Sequence, residues 1–345
     1  MGYLDCLSDR AIDMAINWAI VGTGLHISNW MAPAIAKAND TKLVAICSRT
    51  PIKAKVIAER FGIENTYVSY DTLLKDKSVD VIYIATPNYL HAQMTIQAAQ
   101  AGKHILVEKP MALSCIEGEA MVEACKIHGV KLGVGFHLRH HPAQIAAHKL
   151  ISDNRLGNVF LLDARWISES PLRGGWWQNP VLAGDYIMMT RGVHLIDLIW
   201  FLLRKEPESV IMMTDGRRPT STLEETAVAT IQLGHDIFAT LVVAHYATPP
   251  QNSFTVWGTN GFLQATNTIG FSTAGSLKIV TNEFSKELDY VACDPYLEEI
   301  EEFNRAVYQG SEPNPSGVDG LRVIRIVTAL TESSLTRQFV NLPDT

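Results

Sequence analysis

The chain lacks the marks of several protein classes. Its 345 residues hold five cysteines, Cys6, Cys47, Cys115, Cys125 and Cys293, an odd number with no C-x-x-C pair. That spacing describes neither a disulfide framework nor a zinc ribbon, and free thiols in a reduced cytoplasm are expected. Positive charge is not in excess: 29 Lys and Arg against 36 Asp and Glu leave a formal charge of −7. No general nucleic-acid or anionic-membrane surface is expected, although a local basic pocket is compatible with that balance. The opening MGYLDCLSDRAIDM carries acids early and no basic stretch before an apolar core, so no secretory leader is expected. The longest apolar runs are broken by Gly, Pro or charge short of a membrane span. There is no internal repeat, and no histidine pair has metal-ligand spacing, so no metal is expected.

What remains is an ordered globular composition, 47% hydrophobic and 19% charged, long enough for two domains with separate cores. Residues 1–136 alternate β-branched apolar runs with helical patterns, the signature of an α/β doubly wound parallel sheet. The expected strands are Ile16–Val21, Leu43–Cys47, Val81–Thr86, His104–Glu108 and Lys131–Gly135. Thr50-Pro51 and Gly62 bracket one helix, Ser114 and Glu117 form a capping box for another, and Gly102 and Gly129 fit left-handed stops. Residues 137–345 change texture to an α+β pattern. Strands are expected at Val159–Trp166, Val210–Thr214, Ala227–Leu233, Ile237–Ala247, Phe254–Gly258 and Leu277–Val280, with helices at Pro142–Ile151, Gly192–Leu203, Tyr296–Tyr308 and Gly317–Leu335. A large, open, mostly antiparallel sheet covered by helices on one face leaves the other face needing a partner, so a homo-oligomer, dimer or tetramer, is expected.

The first strand runs into Gly22-Thr23-Gly24-Leu25-His26-Ile27 and then a helical pattern. Glycines at the first two fingerprint positions let the chain turn sharply and let a pyrophosphate approach backbone N–H groups at a helix N-terminus. The third position, usually Gly or Ala, is Ile27, which predicts a helix set slightly further out. The second strand ends in Cys47-Ser48-Arg49-Thr50. Where an NAD enzyme presents a carboxylate to the ribose hydroxyls, Ser48 can donate to a 2′-phosphate and Arg49 can pair with it, with Lys53 one turn on. NADP is therefore the favoured cofactor, with NAD the alternative.

Beyond this point the chain resembles the Gfo/Idh/MocA family of sugar and polyol oxidoreductases from about Asn17 to Leu342. The resemblance is carried by Thr86-Pro87-Asn88-Tyr89-Leu90-His91, Glu108-Lys109-Pro110, Gly135-Phe136-His137-Leu138-Arg139-His140-His141-Pro142 and Gly192-Val193-His194-Leu195-Ile196-Asp197, in order. It implies that Thr86, Pro87, Asn88 and His91 flank the cofactor, that Glu108 lies near the nicotinamide ribose and that His137 contacts the cofactor amide. It implies further that Lys109 contacts the reacting oxygen, with a cis bond before Pro110. His194 is the general acid/base candidate, since an imidazole titrates near neutrality.

One departure from the family pattern matters. Where relatives carry a carboxylate one helical turn before the histidine, this chain has Thr190, and two family glycines are Asp185 and Tyr186. Tyr186 as a proton donor and Asp185 as a substrate ligand are the candidate replacements; both would otherwise pack or cap the helix start. Trp176 and Trp177 offer a sugar a flat apolar face, or serve as core. The expectation is a cytoplasmic NAD(P)-dependent oxidoreductase acting on a sugar, polyol or sugar-derived carbonyl compound. The alternatives are a non-catalytic dinucleotide sensor and, less in keeping with Ser48 and Arg49, a glycosidase using bound NAD.

Overall fold

A computed structural model of the chain describes residues 15–170, 173–215, 223–246, 248–270 and 274–343. The opening segment read for a secretory leader, and Cys6 within it, lie outside the described residues.

Six parallel strands form the first sheet: β1 (Ile16–Val21), β2 (Thr41–Cys47), β3 (Asn65–Tyr67), β4 (Val81–Ile84), β5 (His104–Val107) and β6 (Leu132–Val134), in the order β3-β2-β1-β4-β5-β6. Successive side chains of a strand point to opposite faces, and the burial obeys this. Ala19 and Val21 join one core cluster while Trp18 and Ile20 join another, and all four are buried. Both faces are therefore covered, which is why these strands read as continuous apolar runs. The strand order reverses between β1 and β4, and the crevice beyond their carboxyl ends is where such sheets bind ligands.

One covering element comes from far along the chain. The Pro295–Gln309 helix lays Phe303 edge-on against Trp18, with centroids 5.5 Å apart, and Asn304 Oδ1 accepts the Trp18 indole N–H at 3.0 Å. Gly133 of β6 makes room for it, since a Cβ there would lie 2.8 Å from the Phe303 ring.

The second sheet has nine strands: β7 (Val159–Ile167), β8 (Pro207–Asp215), β9 (Thr226–Leu233), β10 (Ile237–Ala244), β11 (Gln251–Gly258), β12 (Gly261–Thr266), β13 (Ser276–Thr281), β14 (Ser285–Glu287) and β15 (Val340–Asn341). Their order is β14-β13-β12-β11-β7-β10-β9-β8-β15, antiparallel throughout except for β7 against β10. One face packs under the Val193–Leu203 and Gly317–Thr336 helices. The other carries Met213, Val228 and Phe238, which are 76%, 49% and 47% exposed, beside the Asp163–Arg165 ion pair.

Several local expectations need correction. Strands β3, β12, β14 and β15 were not expected. Strand β12 follows the two-residue turn Thr259-Asn260 that Gly258 and Gly261 flank, so the paired glycines were its available signal. Thr50 makes no side-chain cap. Ser114 accepts the Glu117 N–H as expected, but the Glu117 carboxylate takes the Leu113 N–H instead of completing the box. The helix expected from Gly192 begins earlier, passing through a π turn at Met188–Gly192 into Val193–Leu203. By length and mean composition the helical stretch Pro180–Leu203 passes as long enough to cross a membrane, although its apolar runs are broken by Gly184, Asp185, Arg191 and Asp197, as expected. With 89% of its most apolar window buried inside the protein, it is a core helix.

Candidate active site at the carboxyl ends of β1, β4 and β5

The turn after β1 is built from two glycines with different tasks. Gly22 has φ +126°, and a Cβ there would lie 2.5 Å from the Ala85 carbonyl oxygen at the end of β4 and 2.9 Å from Ile27 Cδ1. The loop can cross the strand-order reversal only without a side chain at that point. Gly24, by contrast, faces open space, with nothing within 4 Å of a built Cβ. An open, glycine-lined approach to the first N–H groups of a helix fits a pyrophosphate. Ile27 is fully buried against Gly22 and opens a π turn, Ile27–Met31. The bulky third fingerprint residue is thus accommodated by a widened helical turn. Leu25 is 80% exposed at the loop tip. Gly22→Ala is expected to destabilise the protein by about 1–3 kcal/mol or more, from the positive φ alone, and to abolish dinucleotide binding. Thermal unfolding and a fluorescence titration with NADPH measure the two effects.

At the end of β2, Ser48 Oγ lies 3.3 Å from Thr23 Oγ1 and accepts the Thr50 N–H at 3.1 Å. Two hydroxyls from separate loops thus sit together beside Arg49 and Lys53, both exposed.

The loops after β4 and β5 are braced against each other. His91 is buried, with its ring nitrogens 2.8 Å from the Pro110 carbonyl oxygen and 3.0 Å from that of Thr86. Asn88 is also buried and donates to the Ala183 carbonyl at 3.0 Å, tying this loop to the helix that leads towards Thr190. Thr86 Oγ1 points to Met94 Sδ at 3.6 Å, and Pro87 begins the short turn Asn88–Leu90. The side chains of His91 and Asn88 are therefore structural ties, and Thr86 and Pro87 supply the loop surface.

Glu108 is held by its neighbours. Tyr83 donates its hydroxyl to Glu108 Oε1, His26 Nε2 lies 3.0 Å from the same oxygen, and the Lys109 N–H reaches Oε2 at 3.2 Å. Gly135 leaves the room, since a Cβ would come within 3.0 Å of Oε1. Burial alone would raise this carboxyl, but His26, Lys109 and Tyr83 outweigh it and hold it at about 2. Lys109 follows, with the cis bond to Pro110. Burial, opposed by the Glu108 charge and assisted by Arg173, brings its ammonium down to about 8. Its Nζ donates to the Thr190 carbonyl at 3.5 Å.

Thr190 and His194 lie one helical turn apart on the same helix, so Lys109 and His194 reach one place from opposite walls. The imidazole is 3% exposed and lies among Phe136, His137 and Trp166, with Nδ1 unpartnered among the described residues. Burial first, then the charge of Lys109, holds it neutral, well below the usual histidine range. His137 stacks on Tyr296, with centroids 4.5 Å apart, and lies 2.9 Å through Nε2 from the Gly270 carbonyl oxygen.

The expected replacements for the missing carboxylate do not converge on Lys109. Asp185 caps the helix start through Oδ1, which accepts the Met188 N–H at 3.2 Å, and turns Oδ2 to Thr331. Tyr186 is buried, and its hydroxyl accepts the Arg173 N–H at 3.3 Å. The Thr190 hydroxyl is engaged within the helix, donating to the Tyr186 carbonyl at 2.7 Å, so it is the Thr190 carbonyl that meets Lys109. Trp176 and Trp177 stack on each other at 4.1 Å, and the Arg173 guanidinium lies 4.8 Å from the Trp177 ring. Both rings are half-buried, and Trp177 also meets Tyr186 edge-on. Among the described residues no cluster of His, Cys, Asp or Glu could hold a metal ion.

Three residues outside the sequence-derived set support this site. Arg139 and Asp197 form a buried ion pair, with Nη2 to Oδ1 at 2.7 Å and Nε at 3.1 and 3.0 Å from the two carboxylate oxygens. The pair locks the loop of His137 to the helix of His194. Arg173 is the third. The first two lay inside quoted motifs, and for Asp197 the clue was a carboxylate after the apolar pair Leu195-Ile196.

Comparisons with known proteins agree with the fold. Two family models match: an oxidoreductase family with an NAD-binding Rossmann fold over residues 16–136, and the GFO/IDH/MocA C-terminal domain over residues 145–264. D-xylose 1-dehydrogenase (NADP(+)) 2 of Haloferax volcanii is 30% identical over 335 residues, covering 94% of this chain and 99% of that protein. The 1,5-anhydro-D-fructose reductase of Ensifer adhaerens is 26% identical over 323 residues, covering 93% and 97%. The crystal structure of aldose-aldose oxidoreductase from Caulobacter crescentus, complexed with glycerol, has a TM-score of 0.89 at 26% identity and covers 95% of this chain and 99% of that one.

Proposed function

The chain belongs to the Gfo/Idh/MocA oxidoreductase family, and on that premise we propose that it is an NADP-dependent dehydrogenase or reductase of a sugar, polyol or sugar-derived carbonyl compound. The observation that carries the reading is the meeting of Lys109, from the end of β5, with the Thr190–His194 turn, from the helix over the second sheet. When bound, the nicotinamide supplies the hydride donor or acceptor.

The protein's own groups divide the remaining work. The Lys109 ammonium holds the reacting oxygen and stabilises its developing negative charge. With its titration near 8, it is also the group best matched to give up or regain a proton near neutral pH. His194, held neutral, suits the role of a hydrogen-bonding partner of the reacting oxygen rather than of a stored acid. This shifts part of the acid/base role expected of His194 onto Lys109. Glu108, ionised and fixed by Tyr83 and His26, keeps the Lys109 backbone in place.

The phosphorylated cofactor is favoured by the Thr23, Ser48, Arg49 and Lys53 edge. Arg49→Glu is expected to raise KM for NADP by about 10–100-fold, the worth of a charge-assisted pair, while NAD is affected less. Steady-state kinetics with both cofactors test this; equal loss for the two would reject the 2′-phosphate assignment. The oligomer expected from the sequence is proposed to form through the open face bearing Met213, Val228 and Phe238, and light scattering measures it. A non-catalytic sensor draws on Thr190, whose hydroxyl is engaged within its own helix; tight dinucleotide binding without turnover of any carbinol or carbonyl would favour it.

A further inference from the structure

Three cations lie near one another on the elements that line the site. Lys109 rests on the Thr190 carbonyl at 3.5 Å. Arg191, the next residue, is buried and donates to the Ser168 and Ala244 carbonyls and to Ser168 Oγ, all of them neutral acceptors. Arg173 has its backbone N–H on the Tyr186 hydroxyl and its guanidinium against Trp177. Its backbone is held at Tyr186 and its head group lies against an indole, while the residue stays exposed to solvent. Among the described residues no carboxylate pairs with Arg173 or Arg191. The charge of Arg173 acts on both other cations, after burial, in lowering Lys109 to about 8 and Arg191 to about 10.

Glu108 offsets part of this charge at Lys109, but none of the following carboxylates pairs with Arg173 or Arg191. Asp185 faces Thr331, Asp197 lies on Arg139, Glu108 is held by Tyr83 and His26, and Glu225 accepts from the Tyr246 hydroxyl. At the position one turn before His194 stands Thr190. Ammonium and guanidinium groups only donate hydrogen bonds. A neutral sugar presents hydroxyls that need acceptors as well as donors, and a planar guanidinium lying against an indole is suited to a two-oxygen anion.

We infer that the substrate is a carbohydrate bearing an oxyanion, a carboxylate or a phosphate, and that Arg173 is the specificity-determining residue that receives it. The inference rests on the oxidoreductase reading of the same site. The guanidinium lies against Trp177, and the exposed part of Trp176 is left for the apolar face of the sugar ring.

The test uses the full-length protein with saturating NADP(H) and matched pairs of neutral and acidic sugars, an aldose against its uronate and against its 6-phosphate. The acidic member of at least one pair is expected to have the higher kcat/KM, by about tenfold or more, and its KM is expected to rise with salt. Whichever anion prevails identifies the oxyanion. In Arg173→Gln the acidic-to-neutral ratio falls towards one through KM, and Arg173→Lys restores part of it. Neutral sugars turned over as well as both acidic partners, or a ratio unchanged in Arg173→Gln, overturns the inference while leaving the oxidoreductase reading intact.

Calorimetry of the protein–NADP complex with the same sugars separates the two ideas. Binding of an acidic sugar that Arg173→Gln abolishes, without any turnover, keeps the anion site and removes the enzyme. Absence of binding by both acidic sugars overturns the anion site.

Discussion

Lys109→Met lowers kcat by about 10²–10³-fold, the cost of removing a single pre-placed donor to a developing oxyanion, and leaves dinucleotide binding nearly unchanged. The distinction follows from the geometry: Lys109 Nζ points to Thr190, across the site, whereas the glycine turn after β1 and the hydroxyl pair at β2 do not touch it. The pH profile provides a second signature. Burial lowers the ammonium to about 8, so it is charged below that value and loses its proton as pH rises through it. In the direction of carbonyl reduction, kcat/KM is therefore flat at neutral pH and falls tenfold per unit above about 8. That limb disappears in Lys109→Met. Activity surviving the substitution at full rate, or an unchanged alkaline limb, rules out the assigned role.

The second large effect is on stability. Arg139→Met is expected to cost about 3–5 kcal/mol, because it leaves the Asp197 carboxylate buried without its partner. Asp197 is fully buried, and burial already outweighs Arg139 enough to hold its carboxyl up at about 6. Arg139 also binds Asn314 and Asp319 at the start of the Gly317–Thr336 helix, so the loss reaches a third element. The double substitution Arg139→Met with Asp197→Leu removes the orphaned charge and is expected to recover a substantial part of the stability. Urea unfolding of the single and double variants gives the comparison. A double variant no more stable than the single one would show that the pair's worth lies in its wider network.

The two sheets were legible to different degrees, for a reason visible in their burial. In the first sheet each strand is covered on both faces, so Ile16–Val21, Val81–Ile84 and His104–Val107 are unbroken apolar runs that stand out in one dimension. Strand β12 alternates, opens on a glycine and includes Gln264, and Ser285–Glu287 is exposed throughout. Such strands are defined by their neighbours' hydrogen bonds and carry little apolar signal of their own. Of the site, the glycine turn was legible as a local motif with chemical meaning, and Glu108–Lys109 and His194 were legible through the resemblance to a known family. The directions of Asp185, Tyr186 and Thr190 were not. They lie at the start and in the next turn of a buried helix and face different neighbours, and only the elements packed around that helix determine which neighbour each one meets.

Taken alone, the amino-acid order determined the class of fold and marked the glycine turn, because these depend on local periodicity and on residue type at fixed spacing, while the resemblance to a known family singled out Lys109 and His194. Tertiary structure alone decided that a helix from residues 295–309 closes the first sheet, that Arg139 and Asp197 fasten the two walls, that Arg173 lies against Trp177 and that no carboxylate joins Lys109 at Thr190. Those outcomes depend on which side chains, far apart along the chain, are excluded from water together, and burial of that kind has no signature in neighbouring residues.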